Sequence, residues 1–407
     1  MKIFFVTPKL NFITAGGTTD EYDLTYRTLL NMGHDVAVVT AFSKANNIPF
    51  ELPYKVYEER IPSKRQLGIQ KGLFKIFRKY SDKADIFFVD GQVGLYAAGM
   101  YRVFGGQVPV VAYFNRELFA WPANISTLFP MAPKGRIFKK IKQKIRFFVE
   151  RYLMIPFTDG IDLVAFTSPF LEESYKNFGM KTTGKSMLLG DAFDFRGLMK
   201  KYNISEDTYI KRNKTKGPYT IFYSSRMAPG KGFDLLLTAF SRLKNKDNFR
   251  LVLGGTGPEE QYIKDMVKDL KLESYVEMPG WMTKEDLYKR QTEQVDIFVQ
   301  ARWRRDMTSM SLQTAMLFGL PSVLPGGGGL QWVARDSAIY FEDNNVDDLA
   351  RQIEQLGDNR ELRARLSKHC YVRMDHPEMN HISRITELRE RMEKLAADNH
   401  TNNEEKK

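Results

Sequence analysis

A single cysteine, Cys370, in 407 residues excludes an intrachain disulfide, a cysteine-built zinc site and an iron–sulfur cluster. Five histidines leave little material for a metal centre. Nowhere do about 18 apolar residues follow one another, so no transmembrane helix is expected. The opening MKIFFVTPKLNF has no long apolar run with a small-residue cleavage site, and it reads as a first buried strand rather than a signal peptide. A cytoplasmic protein is expected, peripheral on the inner face of the cell membrane if its cations face lipid. Acids are in deficit, at 49 against 61 Lys and Arg, which leaves a formal charge of +12. That surplus calls for nucleic acid, anionic lipid or a phosphorylated ligand. Nucleic acid is set aside, because no zinc finger, RNP-like aromatic block or recognition helix accompanies the charge. What the chain has is 43% hydrophobic residues, enough for large cores and incompatible with wholesale disorder.

Short continuous apolar runs alternate with helical stretches: KIFFV (2–6), HDVAVVT (34–40), ADIFFVD (84–90), VPVVAYF (108–114) and IDLVAFT (161–167). After a polar, basic segment at 200–218, read as a surface linker, the pattern restarts with YTIFYSS (219–225), FRLVLGG (249–255), SYVEMPG (274–280), VDIFVQA (295–301) and PSVLPG (321–326). Runs of this kind with helical crossovers belong to parallel sheets covered on both faces. The expected fold class is therefore α/β, with Rossmann-like domains at 1–200 and 201–380 facing each other across a cleft. Residues 381–407 are expected to add a helix, packing back toward the first domain, and a frayed tail. Ligands should bind beyond the C-terminal strand ends.

The block SSRMAPGKGFDLLLTAF follows a strand and opens a helix, with Arg226 and Lys231 around a Pro-Gly turn. Two cations beside a helix N-terminus suit a diphosphate, although a solvated surface turn also accounts for them. A second glycine-rich strand end, GGTG at 254–257, and PGW at 279–281 follow in order. With VDIFVQARW, SLQTAMLFGLPSVLPGGGG and AIYFEDNNVDDLARQI, these blocks resemble the nucleotide-sugar half of retaining glycosyltransferases of the GT-B fold, specifically glycosyltransferase family 4. The resemblance runs from 219 to 353. In the first half, TAGGTTDEYDLTYRTLLNMGHDVAVVT is similar to the family's glycine-rich loop, first helix and second strand.

The resemblance implies a nucleotide diphosphate sugar as donor substrate, with no cofactor and no metal. Arg226 and Lys231 would hold the diphosphate and offset charge on the leaving group. Gly16 and Gly17 would let backbone approach donor and acceptor, and Gly255 and Gly280 fall at the matching strand ends. Met310 and Ser311, at the start of the late helix, join the donor-binding set. The family's acidic pair departs here: Asp306 stands at the first position and Thr314 at the second. Asp306 keeps the charge on a shorter arm, whereas a Thr hydroxyl makes one weaker bond where a carboxylate accepts two. Asn115 stands where the family presents a His after the strand corresponding to VPVVAYF, so a proton-transfer role is excluded there and an orienting hydrogen bond remains. Asp90 and Glu117 are acidic candidates for acceptor contact, and solvated loop positions explain them equally. The glycines at 326–329 read as a mobile loop.

The cations cluster in two stretches, 60–83 and 133–151, with eight Lys and Arg each against one acid each, Asp82 and Glu150. Together they exceed the whole-chain surplus, so the remainder is slightly acidic. Ile137, Phe138, Ile141, Ile145, Phe147 and Phe148 recur in the second stretch at helical spacing, and Leu67, Leu73, Ile76 and Phe77 in the first. Each stripe either faces an anionic membrane or packs on its own domain. The sequence thus points to a retaining glycosyltransferase that moves a hexose to a glycan or lipid-linked glycan in cell-surface polysaccharide or lipopolysaccharide synthesis. The rivals are another GT-B enzyme, such as an epimerase or phosphorylase, and a noncatalytic glycan-binding scaffold.

Overall fold

The structure, a computed structural model, describes residues 1–13, 17–117, 136–302 and 307–404, with side chains at 17–18, 136–140, 143 and 402–404 outside the description. The chain forms two compact units, one of Met1–Ala120, Ala132–Phe193 and Asn380–Lys407, the other built on Asp194–Met379.

The first unit runs β1 (Lys2–Thr7), α1 (Gly17–Asn31), β2 (Asp35–Thr40), β3 (Lys55–Glu58), α2 (Gln66–Tyr80), β4 (Ile86–Asp90) and α3 (Gly91–Val103). It continues with β5 (Val110–Phe114), α4 (Arg136–Val149), β6 (Leu163–Phe166), α5 (Pro169–Phe178) and β7 (Ser186–Leu188). All strand pairs are parallel, in the order β3-β2-β1-β4-β5-β6-β7. Every residue of β4 and β5 is buried, as helices on both faces require of a central parallel strand. The edge strands β3 and β7 are short and partly exposed.

The second unit opens with α6 (Phe195–Lys201) and α7 (Thr208–Arg212), then β8 (Tyr219–Ser224), α8 (Phe233–Ser241), β9 (Phe249–Gly254), α9 (Glu260–Asp269), β10 (Val276–Gly280) and α10 (Lys284–Glu293). It ends with β11 (Ile297–Val299), α11 (Met310–Leu317), β12 (Ser322–Pro325), α12 (Gly328–Ala334), β13 (Ala338–Phe341), α13 (Val346–Asp358) and α14 (Arg360–Asp375). Its sheet is also parallel, in the order β10-β9-β8-β11-β12-β13. Helix α15 (His381–Glu404) returns to the first unit, where Ile385, Leu388 and Met392 are buried in the core. Arg384 and Arg391 donate to the Leu188 and Ser186 carbonyls of edge strand β7 at 3.2 and 2.9 Å.

The polar segment at 200–218 is not the loose linker that its composition suggests. It holds α7, whose Tyr209 is fully buried and donates to the Asp296 carbonyl at 2.9 Å. Buried Arg363 fastens the segment from below, donating to Asn213 Oδ1 at 3.0 Å and to the Lys214 carbonyl at 2.6 Å. The units change at Asp194 because α6 packs on α14: Arg196 pairs with Asp375, and the Phe195 and Tyr371 rings meet at 5.9 Å.

Candidate functional site

In a doubly wound sheet, the crevice for a ligand opens at the C-terminal strand ends where the winding direction reverses. In the second unit that reversal lies between β8 and β11, the neighbours at the middle of the sheet. The loop leaving β8 carries Arg226 and Lys231, and the segment leaving β11 leads to α11. Arg226 and Lys231 on one side of that reversal and Met310, Ser311 and Thr314 on the other thus flank it, whereas Gly255 follows β9 and Gly280 ends β10.

The loops are fastened to one another. The Ser225 amide donates to the Gly254 carbonyl at 3.2 Å, Met227 to Thr256 at 2.9 Å, and Gly255 to Gly280 at 2.7 Å. Gly255 has φ of 110°, and a Cβ there would lie 2.0 Å from the Ser225 carbonyl oxygen. The Tyr223 hydroxyl donates to the Lys231 carbonyl at 2.7 Å and fixes the turn before α8. Gly232 precedes that helix at φ of 73° and offers no side-chain cap. Amides in the first turn of α8 thus keep their capacity for an anion, with the helix dipole in their favour. Arg226 is exposed and Lys231 half-buried beside them.

Ser309 caps α11, accepting from the Leu312 amide and donating to Oε1 of the buried Gln300 at 3.0 Å. Ser311 joins it at 2.9 Å. Helix geometry leaves the Met310 and Ser311 amides without an intrahelical acceptor. Thr314 is buried, and its hydroxyl donates to the Met310 carbonyl at 2.8 Å, so only its lone pairs remain to receive a ligand hydroxyl. Asp306 and Gly16 lie outside the described residues; Gly17 begins α1. The run 326–329 is ordered: Gly326 donates to the Phe341 carbonyl at 2.8 Å, Gly327 to Gln331 Oε1 at 2.7 Å, and α12 starts at Gly328. Among the described residues no group of three or more His, Cys, Asp or Glu is placed to hold a metal.

The first unit reverses between β1 and β4. Asp90 ends β4 and is buried, which raises its pKa against the opposing charge of Arg116. Asn115, just after β5, donates to the Tyr22 hydroxyl at 3.4 Å. Glu117 is half-buried nearby in sequence. Sequence reasoning missed Glu21. It is buried on α1 with its carboxyl against the Tyr113 hydroxyl, which lies 2.8 Å from the Gly190 carbonyl oxygen. Burial first, then the charge of Asp191, lifts its pKa well above the ordinary carboxylate value. The available signal was a face: Glu21, Thr25 and Thr28 recur at helical spacing and are all buried.

Residues 205–373 match the family model for glycosyl transferases group 1. A mannosylfructose-phosphate synthase of Agrobacterium fabrum is 34% identical over 117 residues, 26% of this chain and 25% of that protein, so the match spans about a quarter of this curated relative. Among solved structures, sucrose-phosphate synthase of Thermosynechococcus elongatus has a TM-score of 0.72 at 15% identity, covering 98% of this chain and 100% of that one. Anabaena HepE in complex with UDP-glucose has a TM-score of 0.65 at 14% identity, covering 97% and 100%. The fold is GT-B, with two Rossmann-like units, each a parallel sheet flanked by helices.

Proposed function

We propose that the protein is a retaining glycosyltransferase that moves a hexose from a nucleotide diphosphate sugar to a glycan or lipid-linked glycan acceptor in cell-surface polysaccharide synthesis. The observation that carries this reading is the Arg226–Lys231 loop beside the uncapped start of α8 at the β8/β11 reversal. In the proposed reaction the acceptor oxygen bonds to the anomeric carbon as the bond from that carbon to the diphosphate oxygen breaks. The electron pair leaves with the nucleoside diphosphate, whose oxygen takes the acceptor proton on the same face. Arg226, Lys231 and the α8 amides offset the charge growing on that leaving group. Asp306 bonds donor sugar hydroxyls, Thr314 accepts from the ribose, and Asn115 orients a sugar hydroxyl without moving a proton.

A membrane-bound acceptor fits α4. Ile141, Ile145, Phe148 and Tyr152 line one exposed face of the helix and its continuation, flanked by exposed Lys142 and Lys144. The opposite side faces inward: Phe147 meets Phe178 at 5.1 Å, and Arg146 pairs with the buried Glu150. On α2 Leu73, Ile76 and Phe77 of the sequence stripe are buried and only Leu67, at the helix start, is exposed, so that helix offers an anionic surface mainly its cations. No helix among the described residues is long and apolar enough to cross a membrane.

The test is saturable binding and hydrolysis across UDP-, GDP-, ADP- and dTDP-sugars. UDP-glucose goes first, because the Anabaena relative is solved with it. Binding of none of them overturns the transferase reading. The noncatalytic reading is favoured by one observation, the Thr314 proton already committed to its own helix. Binding without hydrolysis or transfer would select it.

A further inference from the structure

A cavity of about 360 Å³ lies between the segment after β3 and the flank of α2, lined by Arg60, Ser63, Lys71, Lys75 and Lys79, with Glu59 among them. Its shape comes from two glycines one helical turn apart. A Cβ on Gly68 would lie 2.1 Å from Ser63 Oγ, and one on Gly72 would lie 2.8 Å from the Ile61 side chain. A larger residue at either position would displace the Ser63 or Ile61 side chain that packs on the helix there.

The charge in the groove is not balanced from within. Glu59 is the one acid among the lining residues, and its carboxylate already accepts from Lys79 and from the Tyr80 hydroxyl. Arg60, Lys71 and Lys75 are exposed toward it, with no acid in the lining left to answer them. Lys71 and Lys75 stand four residues apart, so they rise from adjacent turns, their Cα atoms about 6 Å apart along the axis. That spacing, with a guanidinium across the groove and the Ser63 hydroxyl at its wall, suits neighbouring phosphoryl oxygens better than a lone carboxylate.

We infer that this groove binds a phosphate-bearing ligand, a diphosphate or phosphomonoester, at a site separate from the donor loop of the other unit. The site goes beyond the transfer reaction and does not depend on it. The phosphate has two sources, a soluble phosphorylated molecule or a lipid headgroup, and the groove recognises what they share.

The test uses the full chain and inorganic pyrophosphate, followed by calorimetry in an R226A/K231A background that silences the donor loop. Pyrophosphate should still bind in that background, and adding K71Q and K75Q should weaken it about tenfold or more. Both lysines are exposed, so the fold is retained, and an unchanged melting temperature checks it. A second arm compares co-sedimentation with phosphatidylcholine vesicles and with an equal mixture of phosphatidylcholine and phosphatidylglycerol. Loss of pyrophosphate binding assigns the groove to a soluble phosphate. Loss of binding to the anionic vesicles alone assigns it to a headgroup. If K71Q/K75Q changes neither, the inference is overturned, and the donor reading is untouched because R226A/K231A reports on it separately.

Discussion

A Cβ placed on Gly232 would lie 2.1 Å from the carbonyl oxygen of Ala301. The turn that presents Lys231 is thus pressed against the end of β11 with no room for a methyl group. Gly232 also has φ of 73°, which an L side chain adopts at a cost. Gly232→Ala is therefore expected to lose stability by about 2 kcal/mol, as strain and clash combine. It should also weaken donor binding, because relief of the clash displaces the start of α8. Thermal melting and nucleotide-sugar titration on one preparation check both effects. A variant with wild-type donor affinity would show that the turn need not be held against β11.

Arg226→Ala and Lys231→Ala are each expected to lower kcat/KM about 10²- to 10³-fold, the range for removing one preorganised group from a site of developing negative charge. The larger share should fall on kcat, because that charge grows toward the transition state. Arg226→Lys should rescue only part of the loss, since an ammonium cannot reproduce a guanidinium's paired donors. Steady-state kinetics with a hydrolysable nucleotide sugar separates these outcomes.

Glu21 gives a pH signature. Its pKa is raised well above 4.5 in the folded chain by burial and then by Asp191, so the native state holds a proton that the unfolded chain releases. Stability from this group is fully present below the unfolded value and is lost as pH rises through the folded value. Glu21→Gln keeps the shape and removes the titration. Relative to wild type, the variant should gain stability between about pH 5 and pH 8, read from urea denaturation at both ends. Parallel pH profiles for the two proteins would exclude Glu21 as the protonated group.

The central strands were legible because a parallel strand buried on both faces leaves a continuous apolar run, as in IFFVD of β4 and VVAYF of β5. The edge strands KVYE and SML escaped, since half-exposed edges carry no such run. The strand–turn–helix that carries Arg226 and Lys231 was legible from its glycines, whose spacing is local. Glu21 was not, because its partner Tyr113 lies 92 positions away and Asp191, whose charge acts on it, 170, and only the winding of the sheet brings them together. Composition misled at 200–218, where polar residues hid Tyr209 and the anchorage supplied by Arg363. It misled again at 326–329, where two of four glycines begin a helix.

The exposed face of α4 yields the remaining prediction. Ile145 is 60% and Phe148 59% exposed, one turn apart, with Lys142 and Lys144 at their flanks. Burying each such side chain in the lipid interface gains up to about 1.5–3 kcal/mol, and each lysine near an anionic surface adds about 1 kcal/mol. Ile145→Ser with Phe148→Ser should therefore reduce binding to anionic vesicles by about tenfold or more at any salt. Lys142→Gln with Lys144→Gln should reduce it mainly at low salt, because screening already removes that term at high ionic strength. Neither pair touches the donor loop, so hydrolysis of a soluble nucleotide sugar should stay at the wild-type rate. If the serine pair binds vesicles as the wild type does, the face is not a lipid contact. If it loses hydrolysis as well, its effect is on the fold of the unit rather than on the membrane.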